Sequence, residues 1–219
     1  MSKSVKLEGN PFSNGNFDFS DKQFIWVDKF DEDSTESFFQ EFLTLEKNPA
    51  INIIPIFISS YGGEVFSLIA MRDLIKSSMK PVATIAIGKA MSCGVCLLAA
   101  GTKGCRFASA DSMIMIHQIS SRTGGKTSDI IEDAAMLAAL NNKVFTNLAK
   151  DTGKPLKNIE KTINSKNNAD WSLTVEEAKK WGIIDHIAIP RMGQETQATN
   201  LISVPTYDSM KKMAKGKKP

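Results

Sequence analysis

The chain has 219 residues, of which 42% are apolar and 23% charged, and its formal net charge is +3. That is enough chain for one α/β domain with a sizeable core, and too little charge to call for a nucleic-acid partner. Much of the excess is local, because Lys211, Lys212, Lys215, Lys217 and Lys218 crowd the end of the chain, which reads as a solvated basic tail.

The first stretch, Met1 to Asn16, is polar and shows no apolar run of the secretory type. With Gly9, Pro11 and Gly15 it reads as part of a loose arm over residues 1–21. Phe24, Ile25, Trp26 and Val27 form a short β-rich run. Acidic residues from Asp31 to Asp33 then open a helix carrying Phe38, Phe39, Phe42 and Leu43, stopped by Pro49. A second strand spans Asn52 to Ile58 and ends in a turn at Ser59, Ser60, Tyr61, Gly62 and Gly63. Leu68, Met71 and Ile75 recur at helical spacing before Pro81. The most apolar stretch, Pro81 to Ala100, is interrupted by Gly88, Lys89 and Gly94, so it reads as a buried strand (Val82 to Ile87) and a buried helix (Ser92 to Ala100), not as a membrane span. The expected setting is cytoplasmic, without membrane contact.

A further strand runs from Ser112 to Ile116 and ends at His117. After Gly124 and Gly125, the residues Ile130, Ala134, Leu137, Val144 and Leu148 mark one face of a long helix. Helix resumes at Leu156, a polar gap covers Asn164 to Ala169, another helix runs from Val175 to Trp181, and Ile183 to Ile189 reads as a last strand. Strands alternate with helices, which predicts an α/β fold with largely parallel pairing. The expected layout is one domain over residues 22–189 and a flexible tail over 190–219.

Three cysteines, an odd number, argue against a disulfide framework. Cys93 and Cys96 have redox-pair spacing, but two small core thiols are the plainer reading. Only His117 and His186 can serve as a histidine base. His117 ends a buried strand, where side chains of α/β folds face a cleft, while His186 reads as a packing or surface residue. Ser92 follows a buried strand at the start of a helix, which exposes its hydroxyl beside backbone N–H groups. Ala90 stands where a GxSxG elbow has its first glycine. Gly62 and Gly63 sit at a second strand-to-helix turn, as an oxyanion-binding backbone or as a plain tight turn. No metal or cofactor site is expected.

Several boxes in order resemble the proteolytic subunit of the Clp protease family. Ser60-Tyr61-Gly62-Gly63 is similar to its Ser-Pro-Gly-Gly turn, and Gly88-Lys89-Ala90-Met91-Ser92-Cys93-Gly94 to its nucleophile segment. The run from Ala99 to Phe107, the box Met115-Ile116-His117-Gln118, the box Asp170-Trp171-Ser172-Leu173-Thr174 and the run from Ala178 to Asp185 continue the likeness from Phe24 to Ile187. The resemblance implies a crotonase-like spiral of ββα units with a protruding handle helix from Thr127 to Lys150. It also implies a serine endopeptidase with Ser92 as nucleophile, His117 as base, Asp170 as orienting acid and the N–H groups of Gly63 and Cys93 as oxyanion hole. A polypeptide substrate and a homo-oligomer, a heptameric ring or stacked double ring, follow from the same source. An AAA+ unfoldase stays open, because residues 1–21 do not match the family's axial segment. Ala169 replaces the usual arginine, Ile119 and Tyr61 replace prolines, and the segment before Asp170 is long. These departures resemble a divergent branch such as phage head-maturation peptidases. The alternatives are an acyl-CoA enzyme of the crotonase type, which shares the fold, and a catalytically silent ring subunit.

Overall fold

The computed structural model describes residues 23–121, 124–165 and 170–190. The arm at 1–21 and the tail beyond 190 lie outside the described residues.

The sheet is built on two apolar, β-branched runs. Strand β1 (Ile25–Val27) pairs parallel with β2 (Ile54–Ser60), and β2 pairs parallel with β3 (Val82–Met91). Both β2 and β3 are buried along most of their length, as strands covered on two faces are. One face carries the main core, and the other a smaller cluster of Ile53, Phe57, Ala83, Ile85, Cys105 and Phe107.

β3 serves two neighbours. Thr84 to Ala86 pair with β4 (Arg106–Ala108), and Lys89 to Met91 pair with β5 (Met113–Ile116), both parallel. β6 (Trp171–Leu173) runs antiparallel to β5, and β7 (His186–Ile187) lies parallel on the outer side of β4. The sequence reading ended β3 at Ile87, because Gly88 and Lys89 break the apolar run; pairing with β5 carries the strand on to Met91. It did not anticipate β4 or β6, each of three residues, and it gave seven residues to the strand that is two-residue β7. Such short strands hold through their partners and leave little periodicity to read.

Helix α1 (Glu32–Lys47) starts at Asp31, whose carboxylate accepts from the Ser34 N–H at 2.8 Å while Ser34 Oγ accepts from the Asp31 N–H at 2.9 Å. Its buried stripe is Phe38, Phe42 and Leu45; Phe39, expected in the stripe, is one residue off it and exposed. Helix α2 (Val65–Ser77) buries Leu68, Met71 and Ile75 as their spacing predicts. Helix α3 (Cys93–Ala100) is buried throughout.

Helix α4 (Thr127–Thr152) is the handle: its buried residues are Val144, Phe145, Leu148 and Thr152, all near its C-terminal end. Ile130, expected on the packed face, is exposed with Ile131 and Met136 because that half has no core to cover. The base of α4 is tied down by Asp151, which takes Arg72 Nε at 3.0 Å and Lys76 Nζ at 2.8 Å. Helices α5 (Leu156–Ser165) and α6 (Val175–Trp181) complete the chain.

Arg106 on β4 is only 2% exposed. It meets Asp185 bidentately, Nη2 to Oδ1 at 2.7 Å and Nε to Oδ2 at 2.8 Å, and Oδ2 also accepts the Gly104 N–H at 2.7 Å. Two of the sequence boxes, the one ending near Phe107 and the one ending at Asp185, therefore meet as a structural joint that fastens β4 to the segment entering β7. No helix among the described residues is long and apolar enough to cross a membrane.

Candidate active site

The site forms where β3 stops and α3 begins. Ser92 occupies that junction with φ 54° and ψ −117°, and it is the one non-glycine residue with positive φ among the described residues. A serine held there costs about 1–3 kcal/mol of backbone strain, so its surroundings must over-determine it. The Ser92 N–H donates to the Met115 carbonyl at 2.8 Å, locking the turn to β5. Behind it stands Gly62 at φ 105°, where a methyl group would lie 2.7 Å from Ser92 Cβ. Gly63, at φ 153°, closes on Phe30: a methyl there would lie 2.3 Å from the Phe30 carbonyl oxygen. The glycine pair therefore lets this turn sit close against Ser92 on one side and the Phe30 backbone on the other. Ala90, in the elbow's first-glycine position, is fully buried.

Ser92, His117, Gly63 and Cys93 line one cleft of about 440 Å³. Its walls are largely apolar: Leu68 and Ile116 come from the body, and Met136, Leu137 and Leu140 from α4. Cys93 is the first residue of α3, so its N–H has no acceptor within the helix. The Cys93 thiol donates to the Gly63 carbonyl at 3.2 Å. Burial pushes the Cys93 thiol above its ordinary range, and that of Cys96 likewise. All three cysteines are free and buried, and burial carries Cys105 up to about 12. Such thiols are poor nucleophiles.

His117 follows directly on β5 and is half-buried. Asp170 directly precedes β6 and is exposed; it does not line the cleft. The antiparallel register pairs Ile114 with Leu173, Met115 with Ser172 and Ile116 with Trp171. The pairing ends there: His117 follows Ile116 and Asp170 precedes Trp171, so both residues leave the same end of the β5–β6 pair. In this single chain no hydrogen bond joins Ser92 to His117 or His117 to Asp170. His186 lies on β7, away from the cleft; it stacks on Phe107 at 4.9 Å and its Nε2 lies 3.1 Å from the Gly104 carbonyl oxygen.

The segment after His117 is held by two side-chain amides that the sequence reading missed. The Ile119 N–H donates to Asn141 Oδ1 of α4 at 3.1 Å, and Gln118 Nε2 donates to Asn164 Oδ1 at 3.1 Å. The one available signal was Ile119 in place of a proline, which leaves a backbone donor in need of an acceptor. Chemically, the cleft joins a serine hydroxyl, an imidazole and backbone amides beside apolar walls, the parts of an acyl-transfer site.

A family model described as Clp protease matches residues 18–191. The chain is 33% identical over 186 residues to "ATP-dependent Clp protease proteolytic subunit 2" of Corynebacterium glutamicum, covering 84% of this chain and 90% of the relative. It is 34% identical over 160 residues to "ATP-dependent Clp protease proteolytic subunit 1" of Thermobifida fusca, covering 73% of this chain and 70% of the relative.

Proposed function

This chain belongs to the Clp protease family and is a serine-type peptidase; on that premise we propose that Ser92 is its nucleophile, His117 its general base and Asp170 the carboxylate that orients the base. The observation that carries the assignment is the strained backbone at Ser92, in a cleft shared with the imidazole of His117 and the amides of Gly63 and Cys93.

In the reaction His117 takes the Ser92 proton as Oγ attacks a substrate peptide carbonyl. The Gly63 and Cys93 N–H groups receive the developing oxyanion, and loss of one such donor costs about 100-fold or more in rate. His117 returns the proton to the leaving amine, and water then hydrolyses the acyl-enzyme. Asp170 holds the imidazole in the productive tautomer. That His117 and Asp170 leave the same end of the β5–β6 pair supports this pairing. On this reading the three close to hydrogen-bond distance on assembly or substrate binding.

The working particle is a homo-oligomer, a heptameric ring or two stacked rings, with the cytoplasm as its setting. The exposed apolar half of α4 supports ring stacking. Residues 22–189 act as one peptidase domain. An acyl-CoA enzyme is not favoured, since both relatives described above are named as proteolytic subunits. The test compares wild type with Ser92→Ala for hydrolysis of a fluorogenic peptide and for particle size. Lost hydrolysis with unchanged assembly is expected. Hydrolysis that persists in the variant would falsify the nucleophile assignment.

A further inference from the structure

The cleft is not uniformly apolar. Glu64 is the only carboxylate among its described lining residues, and no lysine or arginine is among them. The Glu64 carboxylate takes part in no hydrogen bond or ion pair among the described residues. Glu64 is the N-cap of α2 and its side chain makes no capping bond, so it is not held back onto the helix. Two residues on, Phe66 lines the same cleft with 62% of its surface exposed. Carboxylate and ring both line the cleft and face solvent, open to a substrate side chain. A lysine or arginine side chain meets both: its aliphatic stem covers the ring and its cationic head reaches the carboxylate.

We propose that Glu64 and Phe66 form a specificity subsite that selects polypeptides carrying a basic residue near the apolar residue seated in the cleft. This rests on the peptidase reading of Ser92. It adds a charge preference to a site whose walls otherwise select only for apolar bulk. Both groups are solvent-facing, so the preference is modest, about five-fold in kcat/KM.

The test uses fluorogenic peptides with one apolar residue before the scissile bond. At each other position in turn they carry lysine, its uncharged isostere norleucine, or glutamate. Wild type should show a position where lysine is preferred over norleucine by about five-fold and glutamate is disfavoured, with the preference shrinking as salt rises. Glu64→Gln should remove the salt-dependent part, Glu64→Lys should reverse the order of lysine and glutamate, and Phe66→Ala should weaken the preference for lysine. Because the readout is a ratio within each variant, a general loss of rate does not mimic it. Cleavage at ratios unchanged by residue 64 overturns the subsite and leaves the Ser92 assignment standing. No cleavage of any peptide, with Ser92 unlabelled by a fluorophosphonate, overturns both.

Discussion

The conformation of Ser92 is one that serine avoids, and it persists because Met115 grips its amide on one side while Gly62 leaves room on the other. Gly62→Ala forces a Cβ against Ser92 at a φ suited to glycine, so Ser92 must shift. A displacement of about 1 Å at a reacting atom costs about 100-fold, and kcat for a fluorogenic peptide should fall by that factor in a variant that still melts cooperatively. Cys93 offers the opposite test. The proposal uses its amide and not its buried thiol, so Cys93→Ala should keep peptide hydrolysis within about five-fold of wild type. A larger loss in a folded variant would place the thiol in the chemistry. Asp170→Asn should lower kcat by about 10⁴ by disturbing the tautomer of His117 while leaving KM nearly unchanged. Equal kcat in the two proteins would remove Asp170 from the mechanism.

At the scale of elements, the joint between β4 and the entry to β7 is an ion pair that the core cannot afford to break. Burial alone would raise the Asp185 carboxyl, but the hydrogen bond and charge of Arg106, with the Gly104 and Arg106 amides, outweigh it and hold the group below its ordinary value. Its stabilising contribution is therefore complete above the unfolded-state pKa of about 3.9 and is lost as pH falls through the lower folded value. Asp185→Asn should cost about 3–5 kcal/mol at neutral pH by leaving buried Arg106 unpaired, and should flatten the acid limb of a urea-midpoint-against-pH curve. An unchanged acid limb would show that Asp185 does not carry it.

Elements with strong patterns were legible in the sequence: β2, α2 and α3 fall within a few residues of their expected places, and the spacing of Leu68, Met71 and Ile75 gave the buried face outright. What escaped was set by partners distant in the chain. β3 gained four residues from β5, β6 exists through β5, and Phe39 lost its place because a 3.6-residue period admits Phe38 and Phe42 but not their neighbour. The boxes around Arg106 and Asp185 were visible as a resemblance, but their role as a salt-bridged joint was not. In the site, residue type and position made Ser92 and His117 candidates and the family resemblance gave them their roles, whereas Glu64 and Asn141 carried no signal. Their meaning lies in which cleft or amide they face, and periodicity does not encode that.

For the whole molecule, the proposed assembly turns on the handle. Its outer half exposes Ile130, Ile131 and Met136, with Ile131 at 64%, while Arg72, Lys76 and Asp151 anchor its base. Ile131→Glu should leave the melting temperature within a few degrees of wild type, yet shift sedimentation towards smaller particles and reduce hydrolysis in proportion. An unchanged sedimentation profile would remove this face from the assembly. The central claim concerns one hydroxyl, and it is read most directly by treating the assembled protein with a fluorophosphonate and mapping the adduct by peptide mass spectrometry. A single adduct on Ser92, lost in His117→Ala, is the predicted result. A protein that cleaves peptides while Ser92 stays unmodified and another residue carries the adduct would contradict it.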